Sequence, residues 1–140
     1  MLRLLCAIMC FAATLASGWS IPDTEVNALC EFYTKTNGEN WRTSTGWAGK
    51  ASEVKVDPCT WYGVTCKNGR VNAISLSMNS LSGVIPESFG DMTEMISFDF
   101  GVNRLTGTFP KTLTRLTKLY AISIRENNLR GTLDFSKFRK

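Results

Sequence analysis

The chain has 140 residues, 44% of them hydrophobic and 20% charged, with a formal net charge of +4 and no histidine. A chain this short folds as one small domain with a modest core. Its basic residues are scattered apart from Arg130, Lys137, Arg139 and Lys140, a solvated terminus rather than the one-sided cationic footprint that nucleic-acid binding requires.

Residues 1–18 read as a secretory signal peptide: Arg3 gives a positive start, residues 4–15 are apolar except for Thr14, and Ala16, Ser17 and Gly18 supply a small-residue cleavage site. Twelve apolar residues make a helix of about 18 Å, short of the roughly 30 Å hydrocarbon layer. An uncleaved amino-terminal anchor is the alternative. Cleavage is placed after Gly18, with Ala16 nearly as suitable, and no second apolar run follows. The expected location is therefore secreted, extracellular or cell-surface, with no membrane span after signal removal.

Next comes "PDTEVNALCEFYTKTNG", in which Asp23 can cap a helix, Val26, Leu29, Cys30 and Tyr33 share one face, and Asn37-Gly38 can end it. Loss of the leader removes Cys6 and Cys10 and leaves Cys30, Cys59 and Cys66, three thiols that cannot all pair within one chain. Cys59 and Cys66 bracket "TWYGVT", and closing that loop stabilises the fold by roughly 2.5 kcal/mol on the chain-entropy model. They are the expected disulfide. Cys30 is left as a buried, inert thiol, or as one half of an intermolecular disulfide. Three thiols without histidine are too few for a closed zinc shell, so neither a metal nor another cofactor is expected.

Asn68-Gly69 fits a type I′ turn, which would pair the cystine segment antiparallel with the stretch from Val71 to Leu76. From there the sequence repeats. Asn79, Asn103 and Asn127 lie 24 residues apart, and the same step relates Leu81, Leu105 and Leu129, then Gly83, Gly107 and Gly131, then Pro86 and Pro110. Upstream, the apolar columns are Val71, Met95, Leu119; Ile74, Phe98, Ile122; and Leu76, Phe100, Ile124. Each unit offers a short strand, an asparagine, a glycine turn and a return segment, and buries its apolar columns only against a neighbour. The asparagine amides, lying between apolar columns, are expected to bond backbone groups of the adjacent coil as a structural ladder.

The unit "VNAISLSMNSLSGVIPESFGDMTE" resembles a leucine-rich repeat of the plant-specific 24-residue class. "NALCEFYTKTNGENW" and "DPCTWYGVTC" are similar to the amino-terminal cap of such repeats in receptor ectodomains and in polygalacturonase-inhibitor-like proteins. The resemblance covers roughly residues 23 to 134. It implies an α/β solenoid: a short repeat stack with a parallel sheet on its concave face and a helical, disulfide-containing cap. The expected organisation is a signal peptide over 1–18, the cap over 19–70, and repeats over 71–94, 95–118 and, in part, 119–140. The cap covers the first coil's exposed apolar columns, and Trp41, Trp47 and Trp61 read as core packing there rather than as a sugar-stacking platform.

The resemblance places ligands on the outward residues of the parallel strands. These are Ser75, Ser77 and Met78; Asp99, Gly101 and Val102; Ser123, Arg125 and Glu126; with Ser80, Arg104 and Asn128 just beyond. Ser75, Ser77, Asp99, Arg104, Ser123 and Arg125 are the candidate ligand-binding residues, and Asp99, Arg104 and Arg125 carry the charges that could orient a polar peptide or glycan. The third unit departs from the pattern, with Asp134 in place of proline. Phe135 and Phe138 could fold back as a lid, the last coil could bind a second copy of the chain, or the sequence could be a fragment of a longer repeat protein. The other reading of the whole is a structural surface protein without a dedicated ligand.

Catalysis is not expected. Without histidine there is no Ser-His-Asp or Cys-His arrangement, and no phosphate loop, dinucleotide fingerprint or zinc-protease motif is present. Asp99 and Glu126 could meet as paired acids, but exposed carboxylates on a shallow face rarely acquire the shifted acidity that glycoside cleavage needs. No kinase segment follows the repeats, and no Asn-x-Ser/Thr acceptor occurs.

Overall fold

In a computed structural model of the chain, residues 21–47, 56–134, 136 and 138 are described. The signal-peptide expectation over 1–18 lies outside them. Helix α1 (Asp23–Lys35) opens the described chain. Its N-cap is Pro22, which makes no side-chain cap bond, so Asp23 sits in the first helical turn rather than at the cap. Asp23 and Glu25 begin the helix and Lys35 ends it, in the sense that complements its dipole. The backbone at Asn37 is left-handed, with φ 60°, and turns the chain away.

Two antiparallel strands follow, β1 (Val64–Lys67) and β2 (Arg70–Ser75), with a register shift between Thr65 and Cys66. Asn68 and Gly69 join them with φ of 51° and 68°, as a type I′ turn demands. The Cys59–Cys66 disulfide is formed. Cys30 is also disulfide-bonded, which corrects the reading of an inert thiol: a buried sulfur on a helix face is equally suited to a bridge.

The repeats then stack. β4 (Ser97–Asp99) and β6 (Ala121–Ser123) extend the sheet in the order β1-β2-β4-β6, parallel from β2 onward. Ile74, Phe98 and Ile122 stand in one register, 24 residues apart. A second, two-stranded sheet pairs β3 (Ser82–Gly83) with β5 (Arg104–Leu105) in parallel, and short 3-10 turns over Glu87–Asp91 and Lys111–Arg115 close the return segments. Parallel coils with an N-terminal helix and a disulfide make the solenoid that the repeat implied.

The core runs between the coils and α1. Phe32 lies within 5.0 Å of Phe100 and 5.4 Å of Phe89, centroid to centroid, so one helix residue seals the interior of the repeats. Trp41, Trp47 and Trp61 are buried. Their indole N–H groups donate to the carbonyls of Thr36, Tyr62 and Val56, as buried indoles must. A sugar-stacking role would need exposed rings.

Each asparagine of the 24-residue step has a distinct set of partners. Asn103 Oδ1 accepts from the N–H groups of Asn79 and Leu81 in the preceding coil, while its Nδ2 donates to the carbonyls of Leu76, Phe100 and Gly101. Asn127 Oδ1 accepts from Leu105 N–H, and its Nδ2 reaches the Phe100 carbonyl. Asn79 has no preceding repeat and bonds both backbone groups of Thr43 instead, tying the first coil to the chain before it. On the return segments, Glu87 accepts from the N–H groups of Lys111 and Thr112, and Asp91–Arg115 and Glu94–Lys118 pair across the same 24-residue step.

At the far end Phe138 is buried in the core cluster, which favours the lid reading, while Phe135 lies outside the described residues. Ile122, Ile124 and Leu129 nonetheless stay half-buried, where their counterparts Phe98, Phe100 and Leu105 are fully buried. Among the described residues, no helix is long and apolar enough to cross a membrane.

Candidate recognition site

Alternation along β2, β4 and β6 sends Ile74, Phe98 and Ile122 toward the core and leaves two rows on the opposite face. The register makes these rows Ala73, Ser97, Ala121 and Ser75, Asp99, Ser123, with Thr65 of β1 beside Ala73. Together they line a shallow groove of about 280 Å³. Its walls carry hydroxyls and methyls and one charge, Asp99.

That charge is held in place. Asp99 Oδ1 accepts from Gly101 N–H at 2.9 Å. A methyl group added at Gly101 would come within 3.1 Å of Asp99 Oδ1 and Ser123 Oγ, and within 3.2 Å of Arg125 Cγ. Three candidate residues therefore converge on one glycine, whose missing side chain makes room for them. Neither Asp99 nor Arg125 enters an ion pair among the described residues. The Asp99 carboxylate and the aliphatic stem of the exposed Arg125 thus approach the same glycine.

Of the six candidates, Ser75, Asp99 and Ser123 line the groove and Arg125 borders it through Gly101, whereas Ser77 is half-buried and outside the lining. Arg104 is a correction. It lies on β5 of the second sheet, because the left-handed residues Met78, Val102 and Glu126, with φ of 52°, 57° and 53°, turn each coil off the first sheet before that position is reached. Thr65, Ala73, Ser97 and Ala121 also line the groove, beyond the residues expected from the sequence. Their only signal is the two-residue alternation counted back from Ser75, Asp99 and Ser123. Glu126 is not among the lining residues, so the groove holds no pair of acids, and among the described residues no cluster suited to a metal ion occurs.

The family model for the Leucine Rich Repeat matches residues 70–92. A probable inactive receptor kinase of Arabidopsis thaliana, RLK902, is 41% identical over 58 residues, which are 40% of this chain and 9% of that protein. The leucine-rich repeat protein FLOR 1 of the same plant is 32% identical over 88 residues, 62% of this chain and 25% of FLOR 1. The chain thus spans a quarter or less of the length of these relatives. Among solved structures, the ectodomain of the Arabidopsis thaliana receptor kinase SOBIR1 superposes with a TM-score of 0.65 at 22% identity, over 84% of this chain and 62% of that one, a likeness of fold. The ectodomain of the Arabidopsis thaliana receptor kinase GASSHO1/SCHENGEN3, solved in complex with CASPARIAN STRIP INTEGRITY FACTOR 2, is 34% identical over 56% of this chain and 10% of its own, with a TM-score of 0.52. Residues 70–92 match a leucine-rich repeat, and the stacked coils share the fold of plant leucine-rich-repeat ectodomains.

Proposed function

We propose that this protein is a non-catalytic recognition module of the cell exterior, secreted or at the cell surface, whose four-stranded sheet binds a segment of a protein partner. The observation that carries this reading is the groove itself: a floor of small side chains flanked by Asp99 and Arg125, two opposite charges without ion-pair partners among the described residues. Small side chains let another main chain approach closely, and uncommitted charges orient it and select its register. The similar receptor ectodomain solved in complex with a named factor supports a partner-binding use of the fold. A glycan fits the groove less well, because sugars stack on exposed aromatic rings and the one ring in the lining, Phe98, is buried.

Three short strands spaced about 4.8 Å apart offer less than the roughly 800 Å² per partner of a stable interface, so binding is weak or multivalent. Export by residues 1–18 belongs to the same proposal. The experiment is capture of a partner from extracellular extract, its identification, and measurement of the purified pair. Asp99→Lys combined with Arg125→Glu is expected to weaken binding about tenfold or more, since like charges then face the partner. Equal affinity of the variant, at an unchanged urea midpoint, would overturn the assignment of the groove and leave the structural-protein reading.

A further inference from the structure

Ser75, Asp99 and Ser123 stand opposite one another on three adjacent strands, so that one carboxylate has a serine on either side at the strand spacing of about 4.8 Å. Asp99 Oδ1 accepts from Gly101 N–H, while Oδ2 and the two serine hydroxyls have no hydrogen-bond partner among the described residues. A fixed anion with a flanking acceptor on each side suits the three donors of an ammonium group. The small side chains of Ala73, Ser97 and Ala121 keep the groove, about 280 Å³, open to the apolar stem that carries such a group.

The rim beside this row carries an apolar side chain that packing does not require. Met78, Val102 and Glu126 occupy equivalent places 24 residues apart, and all have left-handed backbone, with φ of 52°, 57° and 53°. That backbone favours glycine or asparagine and disfavours long or β-branched side chains. Burial does not account for the methionine either, since Met78 is 60% exposed. Met78 N–H donates to the Gly101 carbonyl, which holds this rim beside the Asp99 row. We infer that the segment bound in the groove is both cationic and apolar: a lysine side chain sits on Asp99 between Ser75 and Ser123, and an apolar side chain two residues along rests on Met78 and Val102. The inference rests on the groove reading above and adds the chemistry of the partner.

The test titrates the isotope-labelled 140-residue chain with the blocked peptide Gly-Lys-Gly-Leu-Gly, to about 10 mM so that millimolar affinities are covered, and follows the backbone amide signals by NMR. Its lysine and leucine fall on one face when the peptide is extended. The signals of Asp99, Gly101 and Ser123 are expected to shift. Norleucine in place of lysine keeps the stem without the charge and is expected to bind about threefold or more weakly, a difference that Asp99→Asn and high salt both remove. Serine in place of leucine is expected to weaken binding similarly, a difference that Met78→Asn removes. That variant should keep or raise the urea midpoint, because asparagine suits the left-handed backbone. A lower midpoint would make Met78 a structural residue and overturn its part. Equal affinity for the lysine and norleucine peptides, or tighter binding of a glutamate peptide, overturns the inference and leaves the groove reading, which the captured partner tests separately. Groove signals unmoved by every peptide overturn it as well.

Discussion

The Glu25 carboxylate, fully buried on α1, accepts from Arg70 Nε at 2.5 Å and from Val71 N–H at 2.8 Å. One acid thus fastens the helix to the first residues of β2, the strand on which every later coil is laid. Arg70→Leu strands that carboxylate without its counter-charge, and removal of one partner from a buried pair costs about 3–5 kcal/mol. Because the Arg70 side chain is 33% exposed, the lower end of that range is expected. Glu25→Gln keeps an oxygen for Val71 N–H and should cost less. Urea unfolding of both variants checks the order.

The asparagine ladder is graded. Asn103 satisfies two N–H groups and three carbonyls, whereas Asn127 satisfies one N–H and the carbonyls of Phe100, Ile124 and Arg125. Leaving buried backbone groups unpaired costs about 1–3 kcal/mol, so Asn103→Ala should lie near the top of that range and Asn127→Ala nearer the bottom. Equal urea midpoints for the two variants would show that the extra bonds contribute nothing.

The Cys59–Cys66 bridge closes a loop with a sequence separation of only seven. Paired Cys59→Ala and Cys66→Ala substitutions are expected to cost about 2.5 kcal/mol by the loss of loop-closure entropy. The effect should appear as a lower thermal midpoint with the strand signature retained.

Acid sensitivity has a defined source on the return segments. The N–H groups of Thr112 and Lys111 hold the Glu87 carboxyl below its ordinary value of 4.5, and the hydrogen bond from Lys118 lowers that of Glu94. A carboxyl whose acidity is strengthened by folding favours the folded state above the unfolded value and loses that contribution as pH falls through the folded one. The stability difference between wild type and Glu87→Gln should therefore be largest near neutrality and close as pH drops below 4.5. Its size is small, because both groups are exposed. Unfolding curves at a series of pH values measure it.

The solenoid was legible because stacking imposes it on every coil. An asparagine amide bonded to backbone groups, an inward leucine and a glycine with positive φ recur at each step, and recurrence is what a sequence displays. The floor of the groove was not. Ala73, Ser97 and Ala121 are small and carry no chemical signal, whereas Arg104 is charged and conspicuous, yet the left-handed turn at Val102 carries it onto the other sheet. Glu25 was equally hidden: an acid in a first helical turn looks like a dipole partner until a strand 45 residues away supplies its arginine. Cys30 had no visible mate by thiol counting.

The sheet face and the return face of the coils are distinguishable by contact with the partner. A photo-reactive residue at Thr65, exposed at the margin of the groove, is to be compared with one at Thr117, exposed on the return segment, each incubated with the captured partner and irradiated. Cross-linking from Thr65 and not from Thr117, abolished by Asp99→Lys with Arg125→Glu, is the expected result. Cross-linking from Thr117 alone would place recognition on another surface and contradict the account.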